Sequence, residues 1–140
     1  MGDLSRHFSK HEFRCKCLRC KIDFKVDDKL VRILQAVSDA VGPCTITSGM
    51  RCPEHNRNVN GAKRSWHIAR RGALYAADIQ IMDPRRRALK DATHIYITAD
   101  QHDAHGLGLY HNRCHIDTRP ITIFKGADRA RWVDSSVEWK

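Results

Sequence analysis

The stretch G-L-G-L-Y-H-N-R-C-H-I-D-T, Gly106 to Thr118, decides how the chain folds. G-L-G-L-Y (Gly106 to Tyr110) and C-H-I-D-T (Cys114 to Thr118) are short runs joined by a tight His111-Asn112-Arg113 connection, the pattern of two neighbouring strands. Side chains of a strand alternate between its faces. His115 and Asp117 therefore project from one side, and Cys114 and Ile116 from the other. An apolar back behind a polar pair suits a strand that lines a cleft.

Other segments extend this reading. Ala76 to Met82 alternates as a strand, with Ala77, Ile79 and Ile81 on one face and Asp78 and Gln80 on the other. Thr45 to Thr47 and Ile95 to Ala99 read as further short strands. Ser9 and Glu12 form an S-x-x-E capping box for a first helix, with Phe8 and Phe13 in the positions of a hydrophobic staple. Asp27 or Asp28 opens a second helix, in which Leu30, Leu34, Val37 and Val41 recur at helical spacing until Gly42-Pro43. Pro53 begins a brief helix, Asn60-Gly61 is a turn, and Asp83-Pro84 caps another helix that reaches roughly His94. D-Q-H-D-A-H, Asp100 to His105, is a polar loop. Short strands mixed with separate helices, without regular βαβ alternation, predict an α+β fold with an antiparallel sheet and flanking helices. A length of 140 residues suits one domain, 1–140, with the cysteine-rich N-terminal segment, about 1–25, packed on it.

Composition narrows the functional classes. No apolar run approaches the roughly 18 residues of a membrane span. The opening M-G-D-L-S-R-H-F-S-K lacks the apolar core of a signal peptide, so no export address is expected in it. The net charge of +9 implies attraction to polyanions, and both nucleic acid and the anionic bacterial envelope qualify. The Arg and Lys residues are scattered apart from Arg85, Arg86 and Arg87, as on a solvated face or a phosphate-binding stripe. Cys15, Cys17 and Cys20 form C-x-C-x-x-C, while Cys44, Cys52 and Cys114 are dispersed. The cluster suits a structural zinc if His11 or Cys52 supplies a fourth ligand, but it equally suits disulfides or reduced thiols.

His67, Asp78 and His115 form the other constellation. Asp78 is the only acid between Glu54 and Asp83, and Asp83 precedes Pro84 as a helix cap would. Two imidazoles and a carboxylate from separated segments are the ligand types of a zinc site with one position open to water. Structural sites usually close with four Cys or His. Nine histidines in this chain also leave room for coincidence, so residue types alone keep both readings open.

Longer motifs add to this. I-T-S-G-M-R-C-P-E-H-N-R-N-V-N-G-A-K-R-S-W-H (Ile46 to His67), G-L-G-L-Y, C-H-I-D-T-R (Cys114 to Arg119) and R-A-R-W (Arg129 to Trp132) together resemble the zinc D-Ala-D-Ala carboxypeptidase family. Its superfamily includes D,D-dipeptidases, phage L-alanoyl-D-glutamate endopeptidases and the zinc-bearing hedgehog domain. Small phage and prophage peptidases also begin with an E-F-x-C-x-C segment similar to Glu12 to Cys17. The resemblance implies a zinc cleft with His67, Asp78 and His115 as ligands, Arg51 polarising the scissile carbonyl and Ser65 helping to hold substrate.

Two departures stand out. The interval between His67 and Asp78 is longer than the family usually has, with the excess around A-R-R-G-A-L (Ala69 to Leu74). Where many relatives carry a Glu or Asp as general base, this chain has Asn112. His111 is the expected substitute and Asp117 the second candidate, although a carboxylate beside a ligand histidine often orients it instead. His102 and His105 are further alternatives.

The activity implied is hydrolysis of peptide bonds in peptidoglycan stem peptides, of carboxypeptidase or phage endolysin type. The expected protein is a monomer made in the bacterial cytoplasm, acting on the wall after release or as a phage component, with no specific nucleic-acid partner. A non-catalytic zinc-containing wall-binding or virion protein is the alternative. A zinc-stabilised nucleic-acid binder would leave the His-Asp-His set unexplained.

Overall fold

A computed structural model describes residues 2–82, 89–120 and 129–137. Asp27 caps the first long helix, α1 (Asp28–Val41), by accepting from the Leu30 N–H at 3.2 Å, and Gly42 ends it in a left-handed conformation at φ 99°. Leu30, Leu34 and Val37 on its inner face are fully buried. Full burial of such a side chain contributes roughly 1.5–3 kcal/mol. A 3-10 helix, Lys10–Phe13, precedes it, with the Ser9 N–H donating to Glu12 Oε2 at 2.7 Å. Phe8 and Phe13, stapled across that turn with ring centroids 6.4 Å apart, are buried in the same core as α1.

Two short strands, β1 (Lys25–Val26) and, further along, β3 (Ala73–Leu74), pair in parallel. The larger sheet contains β2 (Cys44–Ser48), β4 (Ala76–Ile81), β5 (Gly106–Leu109), β6 (Cys114–Asp117) and β7 (Ala130–Val133), in the order β2-β4-β6-β5-β7. The first four are antiparallel neighbours, as the alternating patterns predict. The sheet is mixed, however, because β7 adds in parallel beside β5. The short helix α2 (Pro53–Asn58) starts at Pro53 and follows β2.

Ile95 to Ala99, expected as a strand, lies inside the helix α3 (Leu89–Gln101), which also takes in Asp100 and Gln101 of the expected loop. The I-Y-I-T run has strand propensity, but Ala92, Ile95 and Ala99 recur at helical spacing and all three are buried. Packing of that stripe overrides local preference. The Asp83-Pro84 cap and the Arg85 to Arg87 cluster lie outside the described residues. The extra residues between His67 and Asp78 form a tight turn closed by the Arg70–Ala73 bridge and then supply β3. Arg71 and Gly72 both have positive φ in that turn.

Candidate metal centre

Strand register brings the site together. Asp78 on β4 lies directly opposite His115 on β6. His67 arrives from the loop before β3, where the Ser65 hydroxyl accepts from its backbone N–H at 3.2 Å. The loop after β2 then wraps it, since Arg51 N donates to His67 O at 2.8 Å and Gly49 O accepts from His67 Nδ1 at 2.7 Å. All three side chains are buried, and one ligand atom from each lies within 4.8 Å of the other two.

The proton inventory defines what this cluster can hold. A carbonyl oxygen only accepts, so the Gly49 contact keeps the proton of a neutral His67 on Nδ1 and leaves a lone pair on Nε2. That lone pair faces Asp78 Oδ1 at 3.1 Å. His115 repeats the arrangement with its nitrogens exchanged. Its Nε2 donates to Asp117 Oδ2 at 2.7 Å, and its Nδ1 faces the same Asp78 oxygen at 2.9 Å. Three electron-rich atoms converge on one point with their outer donors already engaged, which is repulsive unless a cation fills the centre. Ligand atoms on a tetrahedral zinc at about 2.1 Å stand roughly 3.4 Å apart, a few tenths of an ångström beyond the two carboxylate–imidazole distances here.

Burial pushes the Asp78 carboxyl up, but His67 and His115 outweigh it and hold it well below the usual carboxylate range. Burial pushes His115 down, and Asp117 and Asp78 more than reverse that, raising it to about 8.

Asp117 is wholly buried. Besides His115, its oxygens accept from Arg119 Nε at 2.9 and 3.1 Å, from Nη2 at 2.6 Å and from the Arg119 backbone N–H at 3.1 Å. A carboxylate so fully engaged suits an orienting role. Two glycines make room for this arrangement. A Cβ at Gly106 would land on the Asp117 carboxylate, and one at Gly108 on the Trp132 indole, which packs 5.2 Å from the His115 ring. The G-x-G pattern of β5 therefore follows from what lies across it.

The centre opens into a cleft of about 520 Å³. Arg51, Arg64, Arg113 and Arg119 line it together with Trp66 and Tyr110, so its walls are strongly basic. Arg51 is held by Ser48 Oγ (3.1 Å) and Asn56 Oδ1 (3.2 Å), and its Nη2 stands 3.8 Å from Asp78 Oδ2. Arg113, which sequence reasoning overlooked, stacks on Tyr110 at 4.2 Å and places Nε 3.6 Å from the same oxygen. Arg119 and Trp66 were also overlooked. Alternation of Arg119 with Asp117 and the adjacency of Trp66 to His67 were the available signals.

Ser65, besides bracing His67, lines the cleft. His111 is exposed on the β5–β6 turn beside Asn112, and it is not among the residues lining the cleft. His105 is engaged elsewhere, with Nδ1 donating to Arg119 O at 2.6 Å and Nε2 2.8 Å from Lys29 Nζ. His102 is exposed at the end of α3. Among the described residues that line the cleft, His67, Asp78 and His115 are the only carboxylate and imidazole groups.

An α+β fold gathers two imidazoles and a carboxylate, Asp78 and His115 from its sheet and His67 from a loop, at the floor of a basic cleft, and such a group could hold a metal ion. A family model described as Peptidase M15 matches residues 6–117, and the chain belongs to that family. Searches of curated proteins and of solved structures returned no match.

Proposed function

We propose that this protein is a zinc-dependent peptidase that hydrolyses peptide bonds in the stem peptides of bacterial peptidoglycan. The observation that carries the reading is the convergence of His67 Nε2, Asp78 Oδ1 and His115 Nδ1, each imidazole having its other nitrogen committed to an acceptor. Membership of a peptidase family supports the reaction class. Zinc held by these three residues would act as a Lewis acid and make water nucleophilic near neutral pH.

The chain's own groups divide the remaining tasks. Arg51, half-buried at the cleft wall and braced by Ser48 and Asn56, donates to the oxygen that gains charge as the scissile carbonyl is attacked. Asp117 holds the His115 ring in the orientation that exposes Nδ1. Ser65 and Trp66 shape the substrate side of the cleft. Arg64, Arg113 and Arg119 favour peptides rich in free carboxylates, as stem peptides with D-Glu and C-terminal D-Ala are. His111 is the proposed general base, carried by the turn that leads into the ligand strand; its exposed ring has to rotate over the cleft rim when substrate binds. The overall charge of +9 adds attraction to anionic wall polymers that weakens as salt rises.

Either an endolysin or a carboxypeptidase fits this site, and the released fragments distinguish them. Purified peptidoglycan incubated with the protein should yield fragments with new peptide termini, and mass spectrometry of those termini identifies the bond. Binding of peptidoglycan by the zinc-loaded protein without any new terminus would favour the wall-binding or virion alternative.

A further inference from the structure

We propose that Cys15, Cys17, Cys20 and Cys52 form a second metal site, a structural tetrathiolate that takes one zinc ion and clamps the N-terminal segment to the loop bearing Arg51. Their four sulfurs lie within 4.8 Å of one another, and Cys52 Sγ stands 3.9 Å from Cys17 Sγ. Four thiolates bound tetrahedrally to zinc at about 2.3 Å are about 3.8 Å apart, so the cluster has nearly the dimensions of an occupied site. Cys52 completes it from a distant part of the chain, as the residue capping α2.

The backbone around the cluster is arranged for negative sulfur. Cys17 Sγ accepts from the N–H groups of Arg19 (3.4 Å) and Cys20 (3.3 Å), Cys15 Sγ from that of Cys52 (3.3 Å), and Cys52 Sγ from that of His55 (3.4 Å). The turn that aims Arg19 and Cys20 back at Cys17 passes through Leu18 at φ 61°, a conformation that a leucine adopts only under constraint from its surroundings. Leu18 is itself 90% exposed, so hydrophobic burial does not supply that constraint. Residues 14–24 form neither helix nor strand, and a segment with so little regular structure needs a staple to stay ordered.

The consequence reaches the cleft without touching it. Cys52 follows Arg51 directly, and Met50 N donates to Phe13 O at 2.8 Å, so the cysteine cluster and the N-terminal turn grip both sides of one loop. That loop also carries Gly49, whose carbonyl fixes the His67 tautomer.

Full-length protein, purified with reductant and stripped by a chelator, is titrated with Co(II) and followed by absorption. Sulfur-to-cobalt charge-transfer bands in the near ultraviolet belong to thiolate ligands, which the His67–Asp78–His115 centre lacks. The bands should saturate with one Co(II) per chain, survive Asp78→Ala, weaken by about a quarter or more and need more cobalt in Cys52→Ser, and vanish when zinc displaces cobalt. In wild type, alkylation mapped by mass spectrometry should modify these four cysteines only after metal removal, which decides the matter if Cys52→Ser does not fold. Absence of the bands in folded, reduced protein, bands of unchanged intensity and affinity in Cys52→Ser, or alkylation indifferent to metal would each overturn the site. So would disulfides joining these cysteines in protein kept under reductant.

Discussion

Asp117→Asn keeps the shape of the side chain that His115 Nε2 contacts but removes its charge. Zinc affinity should fall by about 10–100-fold, with activity restored when zinc is raised to compensate, as measured by competition with a chromogenic chelator. A general base behaves differently. His111→Ala should keep zinc affinity and lose about 10²–10⁴-fold in turnover. Normal turnover in His111→Ala would remove it from the mechanism, since its ring lies outside the cleft wall in this structure. Arg51→Ala should lower turnover by about 10²-fold or more, the usual cost of one lost transition-state donor, while zinc stays bound. Near-normal rates in that variant would reduce Arg51 to a brace for Ser48 and Asn56. That His115 and Asp117 share one face was legible in the sequence, because side chains of a strand alternate. The tautomers were not, because they depend on the Gly49 carbonyl, which only the fold brings to His67.

Strand β5 shows how an element can be chosen for what it leaves out. Gly106 and Gly108 sit opposite Asp117 and beside Trp132, where added carbon has no space. Gly108→Ala should displace Trp132 from the His115 ring and destabilise the protein by about 1–3 kcal/mol, readable as a lower denaturation midpoint together with a changed tryptophan emission. Unchanged stability and emission would mean that Trp132 does not pack against that strand in solution. Elements with local signatures were readable in advance: the Asp27 cap, the α1 stripe and the Phe8–Phe13 staple all act within a few turns of chain. Ile95 to Ala99 was not, since its β-branched and aromatic residues favour a strand until the buried face of α3 decides otherwise. Nor was the parallel addition of β7, because four residues of A-R-W-V carry no sign of which edge they will join.

For the whole molecule, the long-range closures matter most: Asp78 to His115 across the sheet, His67 to Gly49 between loops, and Cys52 to the N-terminal cysteines. Together they place a basic cleft over three buried residues that could hold a metal ion, in a chain of the Peptidase M15 family. The most direct test is a zinc titration of the chelator-stripped protein, with cleavage of a purified stem peptide as the readout. Asp78→Ala serves as the control, since it removes one ligand of the centre and leaves all six cysteines in place. The account predicts no cleavage without metal, activity in wild type that rises and then saturates as zinc fills the centre, and none in Asp78→Ala at any zinc level. Equal cleavage by the stripped protein, or by Asp78→Ala, would contradict it.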